Sequence, residues 1–546
     1  MQVLHPDPSP AASSSRRRWL LFALLALPPL VALLFIRQYT TRFPLTDEWA
    51  FVRSVAELQD IDWSQDGAFA KATKVATLVF SGHIVAVPFF LYWLLAPLTN
   101  FDNRFFACFT LATFFLQVLL YRRWFGRWTI ALFPIVLLMF CPSHYMEFEW
   151  GFEFTLALSV LFPLAGLSVV DRIEVGDPWR TRYRKLAVGL ALVMLGALSS
   201  FGGLFGFVCL PLLILLGPLE RKSKLALITP AVLIAAVVWF WLYSDVHAEK
   251  TFGLREVWVV LTALGATIWG SPVGLFEFGF DHRSATGALI LACLIASFVV
   301  AVRSRRVAKI ALPLSFAGFG FLCIAAIAVG RPYLGNWHLQ YALPAVCGTF
   351  ACVYGMWREE PRLPSRLAPL VLMSAILLAS LSGCLRGFTE YGPHYRAYVA
   401  DLEHTALRIL EHPALAKTLP AGPELDADLV LYFAARGHPL FAPDHPPRLD
   451  RVIDEARVFA RKIELTEPRS ILGPIHKRVR FTVLLEPSAT ARRVVLEVGG
   501  VQLALRRISP ALAGIPNLKG EKCFTGVLLP GKLGAGQHAV RAWLAD

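Results

Sequence analysis

The chain has 546 residues, of which 56% are hydrophobic and only 17% are charged, whereas an average soluble domain carries about 25% charged residues. Apolar stretches of roughly 15–21 residues recur over the first ~385 positions, the length that crosses a bilayer. The net charge of +14 matches the excess of Lys and Arg found in cytoplasmic loops. The composition therefore predicts a polytopic membrane protein and excludes nucleic acid as the expected partner.

The N-terminal segment carries a basic flank, Arg16, Arg17 and Arg18, followed by a long apolar run. This run lacks an Ala-x-Ala cleavage site and is long for the core of a signal peptide. It therefore predicts an uncleaved first membrane helix. Residues 1–18 are then a cytoplasmic tail, and the stretch "TDEW" beyond the helix emerges on the far side of the membrane.

Apolar segments fill residues 19–389, the predicted transmembrane module. The clear segments lie near 19–36, 104–121, 128–141, 154–170, 186–201, 203–217, 225–243, 287–302, 312–329, 340–357 and 366–385. Two weaker segments lie at 84–98 and 256–270. Eleven crossings place all four Arg/Lys clusters between the segments in the cytoplasm, whereas thirteen place three of them outside. About eleven to thirteen helices are predicted, and the eleven-helix topology makes the weaker segments interfacial, re-entrant or short.

The composition changes after about residue 390. Residues 390–439 contain a helical period with a polar face, which is typical of a helix lying on a membrane or protein surface. From about residue 472 the pattern alternates every second residue, and Gly-Gly at 499–500 separates two such runs as a hairpin turn does. We therefore expect a helical surface linker at 390–439 and a small β-rich domain at 440–546. Both topologies place this domain outside the cytoplasm.

Polar side chains cluster in four segments that the preferred topology places on that same outer side. The first segment holds Asp47, Glu48, Trp49 and His83; the second, "CPSHYMEFEWGFEF", holds His144, Glu147, Glu149, Trp150 and Glu153; the third is "SSFGGLFGF"; and the fourth, "GRPYLGNWHLQYALP", holds Arg331, Tyr333, Trp337, His338, Gln340 and Tyr341. Carboxylates hold divalent ions or accept hydroxyl protons, Arg grips phosphate, and aromatic rings stack on sugars. Together these residue types favour a sugar phosphate as the ligand.

This order of motifs resembles the GT-C superfamily of membrane glycosyltransferases, which use polyprenyl-phosphate-linked sugars, and within it the bacterial branch. The resemblance covers about residues 19–360. It rests on "DEW" at the end of the first helix, Gly-His-Ile-Val, "EFEWGFEF", "SSFGG" and "GRPY…QYALP". Where relatives have Glu-His-Arg the chain has Gly82-His83-Ile84, and where they often have Ser-Arg-Tyr it has Leu339-Gln340-Tyr341. It implies an α-helical GT-C-like enzyme of the bacterial inner membrane that inverts the anomeric carbon.

The resemblance and the chemistry of the side chains together predict roles for individual residues. Asp47 and Glu48 would be the catalytic acids, while Arg331 and His83 would bind the donor phosphate. The sugar and the acceptor would be contacted by Glu149, Glu153, Trp150, Tyr333, Trp337, His338 and Tyr341. A divalent cation, Mg²⁺ or Mn²⁺, would be bound by Asp47 and Glu149.

Structural roles for the same residues stay open. Asp47 can cap the helix that begins near Trp49, since Asp is a favoured N-cap residue. Arg331 can reach the interface from a helix end, and aromatic residues such as Trp337 can belong to an interfacial belt.

Glu149 and Glu153 are four residues apart. Like charges at that spacing repel on one helix unless a metal, an arginine or a substrate cation neutralises them. The alternative is a solvated turn, in which both carboxylates face water.

Two further functions remain open. A transporter of lipid-linked oligosaccharide or polysaccharide would show sequence repeats and broken helices in matching halves, and no repeat is evident. A non-catalytic scaffold for envelope assembly would act through its β-rich tail. The leading hypothesis is a glycosyltransferase whose partners are a polyprenyl-phosphate sugar, a glycan or lipid acceptor, and membrane lipid.

Overall fold

The computed structural model divides the chain into two units, Met1–Leu440 and Phe441–Asp546. In the first unit it describes residues 10–41, 44, 47–59, 61, 64, 67, 69–70, 79–80, 83–99, 101–243, 253–270, 281–330, 335–359, 363–393 and 429, and in the second unit it describes seven strands. Most of the predicted surface linker at 390–439 therefore lies outside the described residues.

The first unit consists mainly of α-helices. They are α1 (Pro10–Tyr39), α2 (Glu48–Gln59), α3 (Ala86–Leu95), α4 (Asn103–Phe125), α5 (Phe133–Met139), α6 (Tyr145–Glu149), α7 (Phe154–Val170), α8 (Trp179–Ala197), α9 (Phe205–Leu216), α10 (Arg221–Tyr243), α11 (Leu254–Trp269), α12 (His282–Arg303), α13 (Val307–Gly330), α14 (Leu339–Glu359) and α15 (Leu363–Arg386). A short antiparallel pair, β1 (Val79–Phe80) and β2 (His83–Ile84), precedes α3. A π-helical turn, Gly387–Tyr391, follows α15.

Eight of the described helices are long and apolar enough to cross a membrane. Their spans are Arg17–Tyr39, Asn103–Phe125, Gly151–Val170, Arg221–Phe240, His282–Arg303, Val307–Gly330, Asn336–Met356 and Val371–Tyr391. The prediction of a helical, multi-pass membrane protein is confirmed in this coarse form. The other three clear segments form α5 and α9, with 7 and 12 residues, and α8, whose first turns are basic. The eight spans are therefore fewer than the eleven to thirteen predicted.

The two weaker apolar segments form short helices. Helix α3 has 10 residues and α11 has 16, which at 1.5 Å per residue gives lengths of about 15 and 24 Å against a hydrocarbon core of about 30 Å. In α11, every residue from Thr262 to Ile268 is buried. Neighbouring helices rather than lipid therefore surround this part of α11, in keeping with the short helices of the eleven-helix topology.

Glycines allow α7, α8 and the turn before α9 to approach one another closely. A Cβ atom at Gly166 would lie 2.6 Å from the carbonyl oxygen of Gly189. A Cβ atom at Gly196 would lie 2.6 Å from the ring of Pro163. These two contacts show that α7 and α8 run antiparallel, so the end of α7 and the start of α8 lie at the same surface. Gly203 in turn lies against the backbone of Gly196, as expected of a packing role for the "SSFGG" motif.

We expect Gly203→Ala to destabilise the protein by about 2 kcal/mol, the usual cost of one excess methyl in a close-packed contact. The added Cβ atom would overlap the backbone of Gly196, which cannot move aside as a flexible side chain can. The measurement is the melting temperature of the purified protein in detergent. Gly318→Ala in α13 is the matched control, because a Cβ atom there has no neighbour within 4 Å. Equal melting temperatures for the two variants would contradict this packing.

Seven strands are described in the second unit. They are β3 (Leu449–Val452), β4 (Arg457–Ile463), β5 (Arg478–Leu485), β6 (Arg493–Val498), β7 (Val501–Ile508), β8 (Lys522–Leu528) and β9 (Val540–Ala545). Their hydrogen-bonded order is β3-β9-β6-β7-β8-β5-β4, and each neighbouring pair is antiparallel. Strands β6 and β7 pair with Val498 opposite Val501, on either side of residues 499–500.

Candidate functional site

The first polar segment is held in place by α2. Glu48 is fully buried, and its Oε1 accepts a hydrogen bond of 3.1 Å from the hydroxyl of Tyr92 on α3. One turn further on, Phe51 packs edge-on against Tyr92 and Phe152, with ring centroids 5.4 and 5.0 Å apart. Asp47 directly precedes α2 and is half-buried, and its carbonyl oxygen accepts a hydrogen bond from the backbone of α2. Aromatic packing and a charge-assisted hydrogen bond thus fix the position of Asp47.

The second polar segment changes direction at Trp150. Helix α6 ends at Glu149, Trp150 is extended at φ −109° and ψ 106°, and Glu153 lies in a separate 3₁₀ turn. Neither of the two alternatives for Glu149 and Glu153 holds: the extended Trp150 interrupts the helical period between them, and both carboxyl groups are buried rather than solvated. The charge of Glu149 acts on Tyr145, whereas Glu153 accepts a hydrogen bond of 2.8 Å from Gln340.

Glu147 and Asp47 both lie within electrostatic range of Glu153, which accepts the hydrogen bond from Gln340; these three acidic residues are here named the acidic cluster. Glu147 is fully buried, and burial raises its pKa well above the usual value, although the nearby backbone N–H of Gln340 offsets part of this rise. Among the described residues, neither carboxyl oxygen of Glu147 makes a hydrogen bond. Segments one, two and four of the sequence therefore contribute polar side chains to one largely buried region.

Aromatic rings from the second and fourth segments form a wall beside the acidic cluster. Trp150 stacks on Phe152 at 5.5 Å and meets the edge of Trp337 at 6.2 Å. Trp337 is half-buried, so part of its ring remains accessible. His338 is buried, and its Nδ1 accepts a hydrogen bond of 3.0 Å from the backbone N–H of Gly335. Of the predicted sugar-binding aromatics, Trp337 is therefore partly accessible, Trp150 is buried behind it against Phe152, and His338 shapes its own turn.

Tyr341 has a different environment. Its hydroxyl lies 2.9 Å from Ser159 Oγ and 3.1 Å from Ser200 Oγ, and its ring covers Gly202. The side chain is buried, and its one polar atom is already hydrogen-bonded. This arrangement favours a structural role for Tyr341 over the predicted contact with sugar, and it ties the third segment to the fourth.

Asn103 is the residue of the site that sequence reasoning missed. Its Nδ2 donates to the carbonyl oxygens of Glu149 and Thr41, at 2.9 and 3.3 Å, and its Oδ1 accepts from the N–H of Gly151 at 2.5 Å. One fully buried amide thus joins the end of α1, the end of α6 and the start of the next turn. The only sequence signal is an amide at the first position of a long apolar helix. Tyr92, the partner of Glu48, carried no such signal, whereas Gln340, the partner of Glu153, stands in the fourth polar segment of the sequence.

Metal binding was predicted through Asp47 and Glu149. Among the residues that the structure describes, no three His, Cys, Asp or Glu side chains form a group that could hold a metal ion. His144 is buried and lies close to these acids in the sequence, but its Nε2 donates a hydrogen bond of 2.9 Å to the carbonyl oxygen of Thr267. Burial lowers the pKa of His144 to about 4, so this imidazole is neutral at pH 7 and joins α6 to α11.

Three of the predicted site residues cannot be placed with the others. Arg331 and Tyr333 lie outside the described residues. The backbone of His83 pairs with Phe80 in the β1–β2 ladder, and the side chain of His83 is not among those that the structure describes. Phosphate binding by Arg331 and His83 and sugar binding by Tyr333 stay predictions.

The acidic cluster lies near the first residues of two membrane spans, α4 and α7, which the hydrogen bond between Asn103 and Gly151 brings together. At its other end α4 carries Arg122 and Arg123, and α7 leads into the basic first turns of α8. In these two spans the basic stretches therefore lie away from the acidic cluster, while Arg104 at the start of α4 lies beside it.

No protein-family model matches this chain, and neither a curated protein nor a solved structure matches it. The GT-C resemblance therefore rests on the motifs of the sequence.

Proposed function

We propose that the protein is a membrane glycosyltransferase that moves a sugar from a polyprenyl-phosphate donor to a glycan or lipid acceptor. The observation that carries this proposal is the convergence of Asp47, Glu147 and Glu153 with Gln340 beside a tryptophan wall. Buried carboxylates are costly unless they are paired or solvated. Two buried carboxyl groups and a half-buried one, in a protein with membrane-spanning helices, favour a site for polar chemistry over packing.

In the proposed reaction, Asp47 acts as the general base. It takes the proton of the acceptor hydroxyl while the oxygen attacks the anomeric carbon, the bond from that carbon to the phosphate oxygen breaks, and polyprenyl phosphate leaves with the electron pair. Attack opposite to the leaving group inverts the anomeric carbon. Glu48, hydrogen-bonded to Tyr92, keeps the start of α2 and hence Asp47 in position. A positioned base of this kind contributes about 10²- to 10⁴-fold to the rate.

The substrate contacts in this proposal come from the other segments. Trp337 stacks on the sugar ring with Trp150 packed behind it, and Arg331 and His83 hold the phosphate of the donor. Asp47 and Glu149 remain the proposed ligands of Mg²⁺ or Mn²⁺, which prefer oxygen ligands. When bound, the ion would supply positive charge to the departing phosphate.

The proposed orientation follows from the segregation of charge. The positive-inside rule places the arginine-rich ends of α4 and α8 in the cytoplasm and therefore the acidic cluster on the outer side of a bacterial inner membrane. A polyprenyl-phosphate donor would then enter laterally from the outer leaflet. In the proposed eleven-helix topology, a β-rich domain at 440–546 also lies on that side, where it would orient the acceptor glycan.

Reconstitution tests the proposal directly. The full chain is placed in lipid nanodiscs with synthetic polyprenyl-phosphate sugars and an envelope-glycan extract, and the products are analysed by mass spectrometry. We expect the glycan or lipid acceptor to gain the mass of one sugar residue. Movement of a labelled lipid-linked sugar across a proteoliposome membrane without a new glycosidic bond would instead identify a transporter. The glycans of a deletion strain would then name the sugar, since that residue would be missing.

A further inference from the structure

The start of α8 presents exposed aromatic and basic side chains at the end of the helices opposite the acidic cluster. Trp179 and Tyr183 are 46% and 45% exposed, and their rings stack with centroids 5.7 Å apart and an interplanar angle of 27°. Arg180 and Arg184 are exposed and lie one helical turn apart. These four residues are named the basic-aromatic surface.

A buried arginine holds this surface rigid. Arg182 donates from Nη1 to Ser223 Oγ on α10 at 2.6 Å and from Nη2 to the carbonyl oxygen of Val175. Its guanidinium carbon lies 5.1 Å from the centroid of the Trp179 ring, a cation–π contact. Trp179 is therefore supported from beneath, and Tyr183 stacks on a ring that is already fixed. Exposed aromatic side chains that are braced in this way are preorganised for binding.

An apolar stripe continues directly from the two exposed arginines. Arg184, Val188 and Leu195 share one face of α8 by helical periodicity, and Val188 and Leu195 are 45% and 37% exposed. Because α8 packs antiparallel on the membrane-spanning α7, this stripe runs from the membrane surface into the bilayer. A positive surface above an exposed apolar stripe matches the two ends of a lipid molecule.

The charges around the surface favour an anion. Residues 171–185 and 220–224 together contain eight Lys and Arg against four Asp and Glu. One of those acids, Asp177, is neutralised by Lys185 at 2.7 Å. Arginine pairs bind phosphate through parallel N–H donors, and clustered cations at a membrane surface attract anionic lipids.

We propose that the basic-aromatic surface binds an anionic phospholipid, with its phosphate between Arg180 and Arg184, its glycerol region against Trp179 and Tyr183, and an acyl chain along the stripe below. This site is separate from the acidic cluster and does not depend on the glycosyltransferase activity. It anchors α8, and through Arg182 and Ser223 also α10, to the leaflet that the arginines face.

Native mass spectrometry of the full chain tests this site. The protein is released from nanodiscs of phosphatidylcholine with or without phosphatidylglycerol, and retained lipid is counted. We expect the wild type to retain one phosphatidylglycerol, and Arg180→Gln/Arg184→Gln to weaken its binding by about 30-fold, at roughly five-fold for each cation removed. The control is Arg303→Gln/Arg305→Gln, which removes the same charge from two other exposed arginines, at the turn between α12 and α13. It should retain the lipid as the wild type does.

A second variant separates a built site from diffuse attraction. Trp179→Ala leaves the charge unchanged, and we expect it to lose phosphatidylglycerol as well. Equal melting temperatures in pure phosphatidylcholine would establish that all variants are folded. If the double variant fails this check, retention of phosphatidylglycerol by Trp179→Ala alone tests the proposal. Any one of three results would overturn the proposal. The double variant and its control could lose phosphatidylglycerol equally, Trp179→Ala could retain it fully, or the wild type could retain phosphatidylcholine as well as phosphatidylglycerol.

Discussion

Asp47→Asn should lower the rate of sugar transfer by at least about 100-fold, the minimum contribution of a positioned general base. Asn has nearly the shape of Asp but cannot take up the proton of the acceptor hydroxyl. Asp47 precedes a helix that is fixed by Phe51 and by Glu48, so the substitution should leave the fold intact. The measurement is the initial rate of transfer by the reconstituted protein at saturating donor.

The matched control for this variant lies on α2, the helix that follows Asp47. Glu57→Gln also removes one carboxylate charge, but Glu57 is exposed. We expect it to transfer sugar at the wild-type rate. In Asp47→Asn, the loss should appear in kcat with KM for the donor nearly unchanged, because the proton is taken in the transition state rather than in the bound ground state. Transfer by Asp47→Asn at a near wild-type rate would refute the base assignment.

Asn103→Leu should destabilise the protein by about 3 kcal/mol and also abolish most of the activity. The three hydrogen bonds of this amide contribute about 1 kcal/mol each, and their loss would strand the backbone groups of Glu149, Thr41 and Gly151 in a buried site. The turn that carries Glu153 would then no longer be held against α4. Thermal unfolding in detergent measures the first effect, and the transfer rate below the melting temperature measures the second.

Gln117→Leu provides the comparison for Asn103→Leu. Gln117 is a buried amide on the same helix, but among the described residues neither of its amide atoms has a hydrogen-bond partner. Replacing an unsatisfied buried amide by an apolar side chain of similar size is nearly neutral or stabilising. We therefore expect Gln117→Leu to melt at or above the wild-type temperature. If both variants lost the same stability, the loss in Asn103→Leu could not be assigned to the three hydrogen bonds of Asn103.

The coarse architecture followed from the sequence because its signals are local. A run of apolar residues such as 307–330 demands a membrane-spanning helix wherever its neighbours lie, since every backbone polar group must be satisfied within the segment. The same locality let the sequence indicate which segments carry acids and aromatics. It also marked 84–98 and 256–270 as weaker segments that could be interfacial, re-entrant or short, and the structure has helices of 10 and 16 residues there, α3 and α11.

Local signals could mislead where one residue leaves the regular geometry. The spacing of Glu149 and Glu153 suggested a shared helix face, but Trp150 is extended and sends the two carboxylates to different neighbours. Tyr341 was predicted to contact sugar, yet its hydroxyl is hydrogen-bonded to Ser159, 182 residues earlier in the chain. Neither outcome is encoded in the residues next to these side chains.

The sequence by itself determined a helical membrane protein with polar segments at the helix ends, because hydrophobic run length and residue type act within each segment. Only the tertiary structure decided which polar groups meet. Gln340 reaches Glu153 across 187 positions, and Asn103 joins two segments that lie on either side of it in the chain. Such contacts depend on how the helices pack, and helix packing is set by shape, by close glycine contacts and by the cost of leaving a buried polar group without a partner.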